Sequence, residues 1–249
     1  VYIGTRYSKI RKVDPDGNEI FTKNWPFTGH SDYINGLTID SNNNVFSTSE
    51  DDTVKKIDSD GNEIWTFSGH TSRVYSVVID SNGYIYSSSY DQRARKIDPD
   101  GNEVTTGGWP FTGHTAYIWD VGIDLNDNIY TASNDNTVKK IDSDGNEIWT
   151  FNGYTSSVYS VHTDPNNNVY AGLDNGTIIK IDPDGNEVTS GGWPFTGHTA
   201  RVRTLAVDSN GYVYSGSSDN TLRKIDSNGN EVWTFTGHMS NVRSVTVIG

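Results

Sequence analysis

An all-β fold assembled from repeated four-strand sheets is predicted by three features of the sequence. An Asp/Asn-Gly-Asn-Glu phrase recurs with its glycine at Gly17, Gly61, Gly101, Gly145, Gly185 and Gly229, spaced 44 and 40 residues in alternation. A Gly-His dipeptide, once Gly-Tyr, ends at His30, His70, His114, Tyr154, His198 and His238 with the complementary 40 and 44 spacing, so the true period is a pair of units totalling 84 residues. Between these markers apolar residues recur with period two, as half-buried strands require, and nowhere with helical period.

The elements of one unit follow in order. After His70 comes an alternating run at 73–80 (RVYSVVID), a turn at 81–83 (SNG), and a second run at 84–90 (YIYSSSY). A turn holding Asp91 leads to 93–98 (RARKID), the turn 99–102 (PDGN) and an outer strand at 103–111 (EVTTGGWPF). Short alternating runs separated by Asp/Asn/Gly turns form a meander of hairpins. Four strands per 40–44 residues is the period of a propeller blade. The chain opens with strands two to four of a unit and closes with a lone first strand (NVRSVTVIG), which completes the opening unit when laid ahead of it. The expectation is one domain over residues 1–249, a six-bladed β-propeller closed by its C-terminal strand and threefold pseudosymmetric.

Composition narrows the function. The chain has no Cys, which removes disulfides, a thiolate nucleophile and Cys-ligated metal sites. No apolar run approaches the roughly 18 residues that cross a bilayer, and the first residues lack a signal-peptide core, so no membrane insertion is expected. With 19 Lys+Arg against 32 Asp+Glu the net charge is −13, which argues against nucleic acid as a partner. The sequence assigns no compartment.

The Gly-His dipeptide, the Ser-x-Asp-Asn-Thr type of hairpin and the Lys-Ile-Asp triplet together resemble the WD-repeat β-propeller family over the whole chain. Where that family usually has Trp-Asp, this chain has Ile57, Ile97, Ile141, Ile181, Ile225 and Val13 before the Asp. The outer strand DGNEIWTF is also similar to quinoprotein-type propeller repeats. Quinone chemistry is not implied, because that family's cofactor site contains cysteine. No cofactor is expected.

Six copies in one chain form an internal comparison. Trp25, Trp65, Trp109, Trp149, Trp193 and Trp233 occupy one position, as packing between blades would require. Pro26, Pro110 and Pro194 follow three of them, where four-residue insertions (21–24, 105–108 and 189–192) lengthen the preceding hairpin. Proline suits the outermost strand of a blade because it has no N–H to donate. The Asp-x-Asp-Gly-Asn-Glu turn places its glycine as a tight hairpin demands rather than as a calcium loop does, so no metal site is expected. These turns hold 17 of the 32 acidic residues.

The sets His30/Ser47/Asp51, His70/Ser87/Asp91, His114/Thr131/Asp135 and His198/Ser215/Asp219 carry the residue types of a hydrolase triad. Four copies around a ring fit a structural network, and WD-repeat blades brace their hairpins with such sets. In the fourth copy Tyr154, Ala171 and Asn175 replace all three members together. No catalytic residue is assigned, and the chain is expected not to be an enzyme.

Three positions per copy vary: Tyr33/Asn35/Glu50, Arg73/Tyr75/Tyr90, Tyr117/Trp119/Asn134, Ser157/Tyr159/Asp174, Arg201/Arg203/Ser218 and Asn241/Arg243/Arg6. The family resemblance puts them on the top face, where partners dock, and Arg, Tyr and Trp are the residues enriched at binding hot spots. The ligand-binding candidates are Arg6, Arg73, Tyr75, Tyr90, Tyr117, Trp119, Arg201, Arg203 and Arg243. The four arginines Arg6, Arg201, Arg203 and Arg243 are expected to converge on one side of the channel mouth, with the aromatics on the other. The function expected is a non-enzymatic recognition or scaffold propeller for a peptide, protein or anionic ligand. Two alternatives stand beside it: a multivalent glycan-binding lectin on the three long hairpins, and a structural subunit of a larger assembly such as a virion or filament. Outside such an assembly a monomeric ring is expected.

Closure of the ring by the C-terminal strand has a direct consequence. Deleting residues 241–249 is expected to expose an unpaired strand edge and to lower both the melting temperature and the cooperativity of unfolding. Melting identical to that of the intact chain refutes closure by this strand.

Overall fold

A computed structural model describes residues 1–5 and 7–247. The described residues contain only strands, turns and bends; no helix is long and apolar enough to cross a membrane, a statement with no bearing on β-barrels. The chain divides into two compact units, Val1–Ile118 and Trp119–Gly249.

The first unit holds three antiparallel sheets: β1 (Tyr2–Gly4) with β2 (Ile10–Lys12), then β3 (Ile34–Ile39), β4 (Val45–Ser49), β5 (Val54–Ile57) and β6 (Glu63–Phe67), then β7 (Val74–Ile79), β8 (Ile85–Ser89) and β9 (Ala94–Ile97). The second unit repeats the plan with β10 (Ile118–Ile123), β11 (Ile129–Ser133), β12 (Val138–Ile141) and β13 (Glu147–Phe151), then β14 (Val158–Thr163), β15 (Val169–Leu173) and β16 (Ile178–Ile181), then β17 (Val202–Val207), β18 (Val213–Ser217), β19 (Leu222–Ile225) and β20 (Glu231–Phe235). Strand order follows the sequence in every sheet, as in a meander. Each sheet is one sequence unit, so the fold is the all-β, repeated-sheet architecture of a propeller.

The outer strand differs between the two kinds of unit. In the short units it is continuous (β6, β13, β20). In the long units it touches the sheet only at two isolated bridges, Ile10↔Phe27 and Val13↔Glu19, Ala94↔Phe111 and Ile97↔Glu103, Ile178↔Phe195 and Ile181↔Glu187. The inserted residues and a proline lacking an N–H interrupt the ladder between those anchors. Residues 241–247 are outside any strand. Val242 N–H donates to the Ser217 carbonyl and Val245 N–H to Thr204 Oγ1, laying this segment along β17 and β18.

The core runs through the second strand of each unit. All five residues of β4, β8, β11 and β15 are buried, which requires neighbours on both faces. Val45, Ile85, Ile129 and Val169 are wholly inaccessible, each contributing on the order of 1.5–3 kcal/mol.

Within each compact unit, adjacent sheets are joined by the tryptophan. Trp25 Nε1 donates to the Ser59 carbonyl at 3.0 Å, Trp65 to Pro99 at 3.1 Å, Trp149 to Pro183 at 3.1 Å and Trp193 to Ser227 at 3.2 Å. A lysine from the same sheet reaches each of these carbonyls: Lys12, Lys56, Lys140 and Lys180 at 2.8, 3.4, 3.3 and 3.4 Å. The receiving turn is held by its aspartate. Asp58 Oδ1 accepts the N–H groups of Asp60 and Asn62, and Asp14, Asp98, Asp142, Asp182 and Asp226 act alike toward the Asn four residues on. The main-chain N–H groups of Asn18, Asn186 and Asn230 hold Asp14, Asp182 and Asp226 below the usual carboxylate range. The turn glycine sits at φ near +90°, and at Gly101 a Cβ would lie 2.8 Å from the Trp65 ring. The glycine of Gly-His is fixed by a different contact: the Phe two residues earlier covers it, so a Cβ on Gly29 would lie 2.3 Å from Phe27 Cζ.

Within a sheet the histidine network braces the hairpins. His70 Nδ1 lies 2.8 Å from Asp91 Oδ2 and its Nε2 lies 2.8 Å from Ser87 Oγ. A carboxylate only accepts, so Nδ1 carries the proton and Nε2 accepts the serine O–H. His198 with Asp219 and Ser215 repeats both distances, and His30 bonds Asp51 at 2.9 Å and Ser47 at 2.8 Å. Burial holds His70 and His198 below their ordinary value, against the pull of Asp91 and Asp219. Burial alone would raise Asp51, Asp91 and Asp219, but hydrogen bonds from His30, His70, Thr221 and Thr199 outweigh it and leave all three lowered.

The fourth copy substitutes a different bond. Elsewhere Lys55, Arg95, Lys139 and Arg223 pair with Glu63, Glu103, Glu147 and Glu231. Here Ile179 takes the cation's place, wholly buried, and Tyr154, standing where the other copies have His, donates its hydroxyl to Glu187 at 2.6 Å. Burial, then Glu187, raises the Tyr154 phenol. Sequence comparison identifies three of these replacements; the geometry adds Ile179 as the fourth.

Two outcomes follow. Asp219→Ala strips partners from His198, Thr221 and the Thr199 N–H and is expected to cost about 3 kcal/mol, against about 1 kcal/mol for Asn175→Ala; denaturant unfolding of both variants measures the difference, and equal losses refute the network. Because the folded-state values of both residue types are depressed, their stabilisation is present at neutral pH and lost on acidification. Melting temperature is expected to fall as pH drops below the histidine reference of 6.5. A steeper fall is expected below the aspartate reference of 3.8. A melting curve flat from neutrality to pH ~4 contradicts this assignment.

Candidate functional site

The variable positions are gathered by a shift in strand pairing. Val74 pairs with Ser89 but Ser76 pairs with Ser88, so Tyr75 falls outside the ladder. Asn35, Tyr159 and Arg203 fall outside their ladders in the same way. Such a bulge bends the strand and re-aims one side chain without disturbing the alternation that feeds the core. The carbonyls of Tyr33, Arg73, Ser157 and Arg201 then accept the N–H groups of Glu50, Tyr90, Asp174 and Ser218, each at 2.9 Å. In these four copies the three variable positions thus form one cluster.

In the first unit the cluster is a run of phenols beside an ion pair. Tyr75 and Tyr90 have ring centroids 6.4 Å apart, and Tyr90 stacks on Tyr117 at 3.8 Å with planes 9° apart. The Tyr117 hydroxyl beside it raises the Tyr90 phenol. Arg73 lies 3.2 Å from Glu50, and that carboxylate raises the guanidinium further.

In the second unit planar groups stack across neighbouring sheets. Trp119 lies 4.6 Å from Tyr159 at 21°, and the Arg201 guanidinium carbon lies 3.7 Å from the same ring, so Tyr159 is held between an indole and a cation. Arg201 Nε donates to Asp174 Oδ1 at 2.6 Å, and Arg203 Nε donates to Ser218 Oγ at 2.6 Å. Ser157 donates to Asn134 Oδ1 at 3.0 Å. Arg243 is exposed in the 241–247 segment, and Arg6 lies outside the described residues.

Among the candidates, Arg73, Tyr75, Tyr90 and Tyr117 come together in the first unit, and Trp119 and Arg201 meet on Tyr159 in the second, where Arg203 bonds Ser218. Trp119 stacks on Tyr159, a residue that the variable positions already contained but that was not singled out as a candidate. Arg201 is also less electropositive than expected, because Asp174 neutralises it. Four N–H groups on its terminal nitrogens lie outside that bond.

Two other features are structural in their geometry. Ser47, Ser87 and Ser215 are wholly buried beside their histidines, out of reach of a substrate. Two of the long hairpins bond to the turn of the next sheet in the same compact unit: Asn24 N–H donates to the Asp60 carbonyl at 3.1 Å, Lys23 pairs with Asp60, and Gly192 N–H donates to the Asn228 carbonyl at 2.7 Å.

Comparison with known proteins agrees with this geometry. The family model described as WD domain, G-beta repeat matches residues 19–58, 61–98 and 101–142. A second, described as Outer membrane protein assembly factor BamB, matches residues 126–248. No curated protein matches the chain. Among solved structures, the computationally designed Ika8 protein superposes with a TM-score of 0.77 at 23% identity, covering 97% of this chain and 73% of that one, a likeness of fold alone. With the repeated sheets and the junction tryptophans beside them, the two matched segments support a WD-repeat and quinoprotein-type β-propeller.

Proposed function

We propose that the protein is a non-enzymatic recognition propeller that binds an acidic peptide segment, displayed alone or on a protein, through its bulged arginine and aromatic positions. At family level, WD-repeat propellers commonly bind proteins or peptides, and a protein-interaction or scaffold role follows. The observation that carries the finer reading is the Trp119–Tyr159–Arg201 stack. Stacked planes fix the guanidinium before a ligand arrives, so little side-chain entropy is lost on binding. Arginine pairs bidentately with carboxylates, and the indole and phenol rings supply rigid apolar area beside it. A ligand carboxylate shares Arg201 with Asp174, while Arg203 and Arg243 lie in the same unit. Net charge elsewhere is negative, so attraction to an acidic segment is confined to this patch and is screened by salt.

The test is binding to an array of acidic peptides with and without Arg203→Ala plus Arg243→Ala. Loss of binding by about tenfold or more, with melting temperature unchanged, is the expected result, because neither residue belongs to the repeated core. Unchanged binding by the double variant overturns this reading and turns attention to the three long hairpins.

A further inference from the structure

Within each compact unit the variable positions of neighbouring copies match one another in kind. Glu50 pairs with Arg73, Tyr90 stacks on Tyr117, Ser157 donates to Asn134 and Arg201 donates to Asp174. The last variable position of one copy therefore meets the first of the next. Glu50 and Asp174 are the carboxylates in these pairs, and each faces an arginine. Arg201 is held a second time, by the Tyr159 ring 3.7 Å from its guanidinium carbon.

Asp174 decides how an anion can approach that arginine. A guanidinium has two edges that bind bidentately, one made by Nε with a terminal nitrogen and the other by both terminal nitrogens. Asp174 takes the Nε–H at 2.6 Å and so occupies the first edge, while Tyr159 covers a face. The second edge is left to a ligand. The backbone behind both side chains is pinned: Asp174 N–H donates to the Ser157 carbonyl and Ser218 N–H to the Arg201 carbonyl, each at 2.9 Å. Side-chain exposures of 29% for Arg201 and 46% for Asp174 put the pair within reach of solvent.

Arg201 and Asp174 together carry no net charge. A ligand carboxylate on the open edge gains two charge-assisted hydrogen bonds and places a single negative charge beside Asp174. A phosphate makes the same two bonds but carries a charge of about −1.5 to −2 near neutral pH. Its excess charge is repelled by Asp174 and gains nothing net from the pair. We infer that Asp174 is a specificity-determining residue that selects a carboxylate over a phosphate on Arg201. Discrimination of this kind comes from a repulsive group built beside the attractive one. The inference rests on the recognition reading and deepens it, by naming the anion that the site takes and the residue that rejects its rival.

The probes are the tightest-binding glutamate-containing peptide of an acidic array, and that peptide with each glutamate in turn replaced by phosphoserine. The wild-type chain is expected to prefer glutamate at the position that meets Arg201. Asp174→Asn removes the charge and keeps the main-chain bond to Ser157, and asparagine already stands at the matching position of the preceding copy, Asn134. It is expected to lower the preference for glutamate over phosphoserine at that position by about tenfold. Asp174→Glu keeps the charge, as Glu50 does in the first copy, and is expected to retain the preference. A preference unmoved by Asp174→Asn, or a wild-type chain that favours phosphoserine at every position, overturns the inference and leaves the recognition reading standing. A wild-type chain that binds no acidic peptide overturns both. Melting of each variant confirms folding, and Asp174→Ser, which places there the residue found at Ser218, is a second neutral variant that decides if Asp174→Asn misfolds.

Discussion

A single backbone carbonyl, held out by a tight turn and approached by an indole N–H and an ammonium, joins each sheet to the next within the two units. The carbonyl oxygen has two lone pairs and here uses both. Much of the repeat serves this contact. The aspartate at the start of the turn accepts main-chain N–H groups and fixes the loop. The glycine that follows adopts a left-handed conformation and leaves room for the indole, and the lysine ammonium sits over an aromatic ring of its own sheet. In repeat proteins stability is close to a sum of unit terms and nearest-neighbour terms, so a contact repeated at these four junctions sets how the sheets of each compact unit hold together.

The second constraint lies inside each sheet, and the fourth copy shows its logic. A buried histidine, a hydroxyl and an aspartate satisfy one another, while a nearby cation satisfies the glutamate of the outer strand. Replacing the cation by Ile179 would strand Glu187, and the Tyr154 hydroxyl supplies the missing donor. With histidine gone, an aspartate at 175 would lose its strongest partner; asparagine there has no charge to leave unpaired and still accepts the Thr177 N–H. The four residues change together because each intermediate would bury an unpaired group.

Much of this was legible in the sequence, because the repeat wrote it six times. The glycine spacing gave the units, period-two alternation gave the strands, and the prolines marked the outer segments that fail to form a continuous ladder. The variable positions were legible by contrast with the invariant ones. What could not be read was their geometry. The alternation runs through the bulge unchanged, so nothing in residues 73–80 announces that Tyr75 leaves the ladder. Nor does spacing reveal that Trp119 meets Tyr159, or that Asp174 neutralises Arg201, since each pair spans two sheets and depends on the packing between them. Ile179 was visible but silent, because an isoleucine in a strand needs no explanation until the glutamate opposite it is seen.

The bulge is also what allows one scaffold to carry different surfaces. Val74 and Val77 remain in the core on either side of Tyr75, and Val158 and Val161 do so around Tyr159. A residue outside the ladder has no cross-strand partner to match, so Asn, Tyr and Arg are all tolerated there without strain on the sheet. The side chains then satisfy one another across neighbouring sheets, as the indole, phenol and guanidinium of Trp119, Tyr159 and Arg201 do. The stacked planes fix these side chains in advance, so in the proposed recognition role selectivity is set by which residues occupy the bulges and not by rearrangement of the fold.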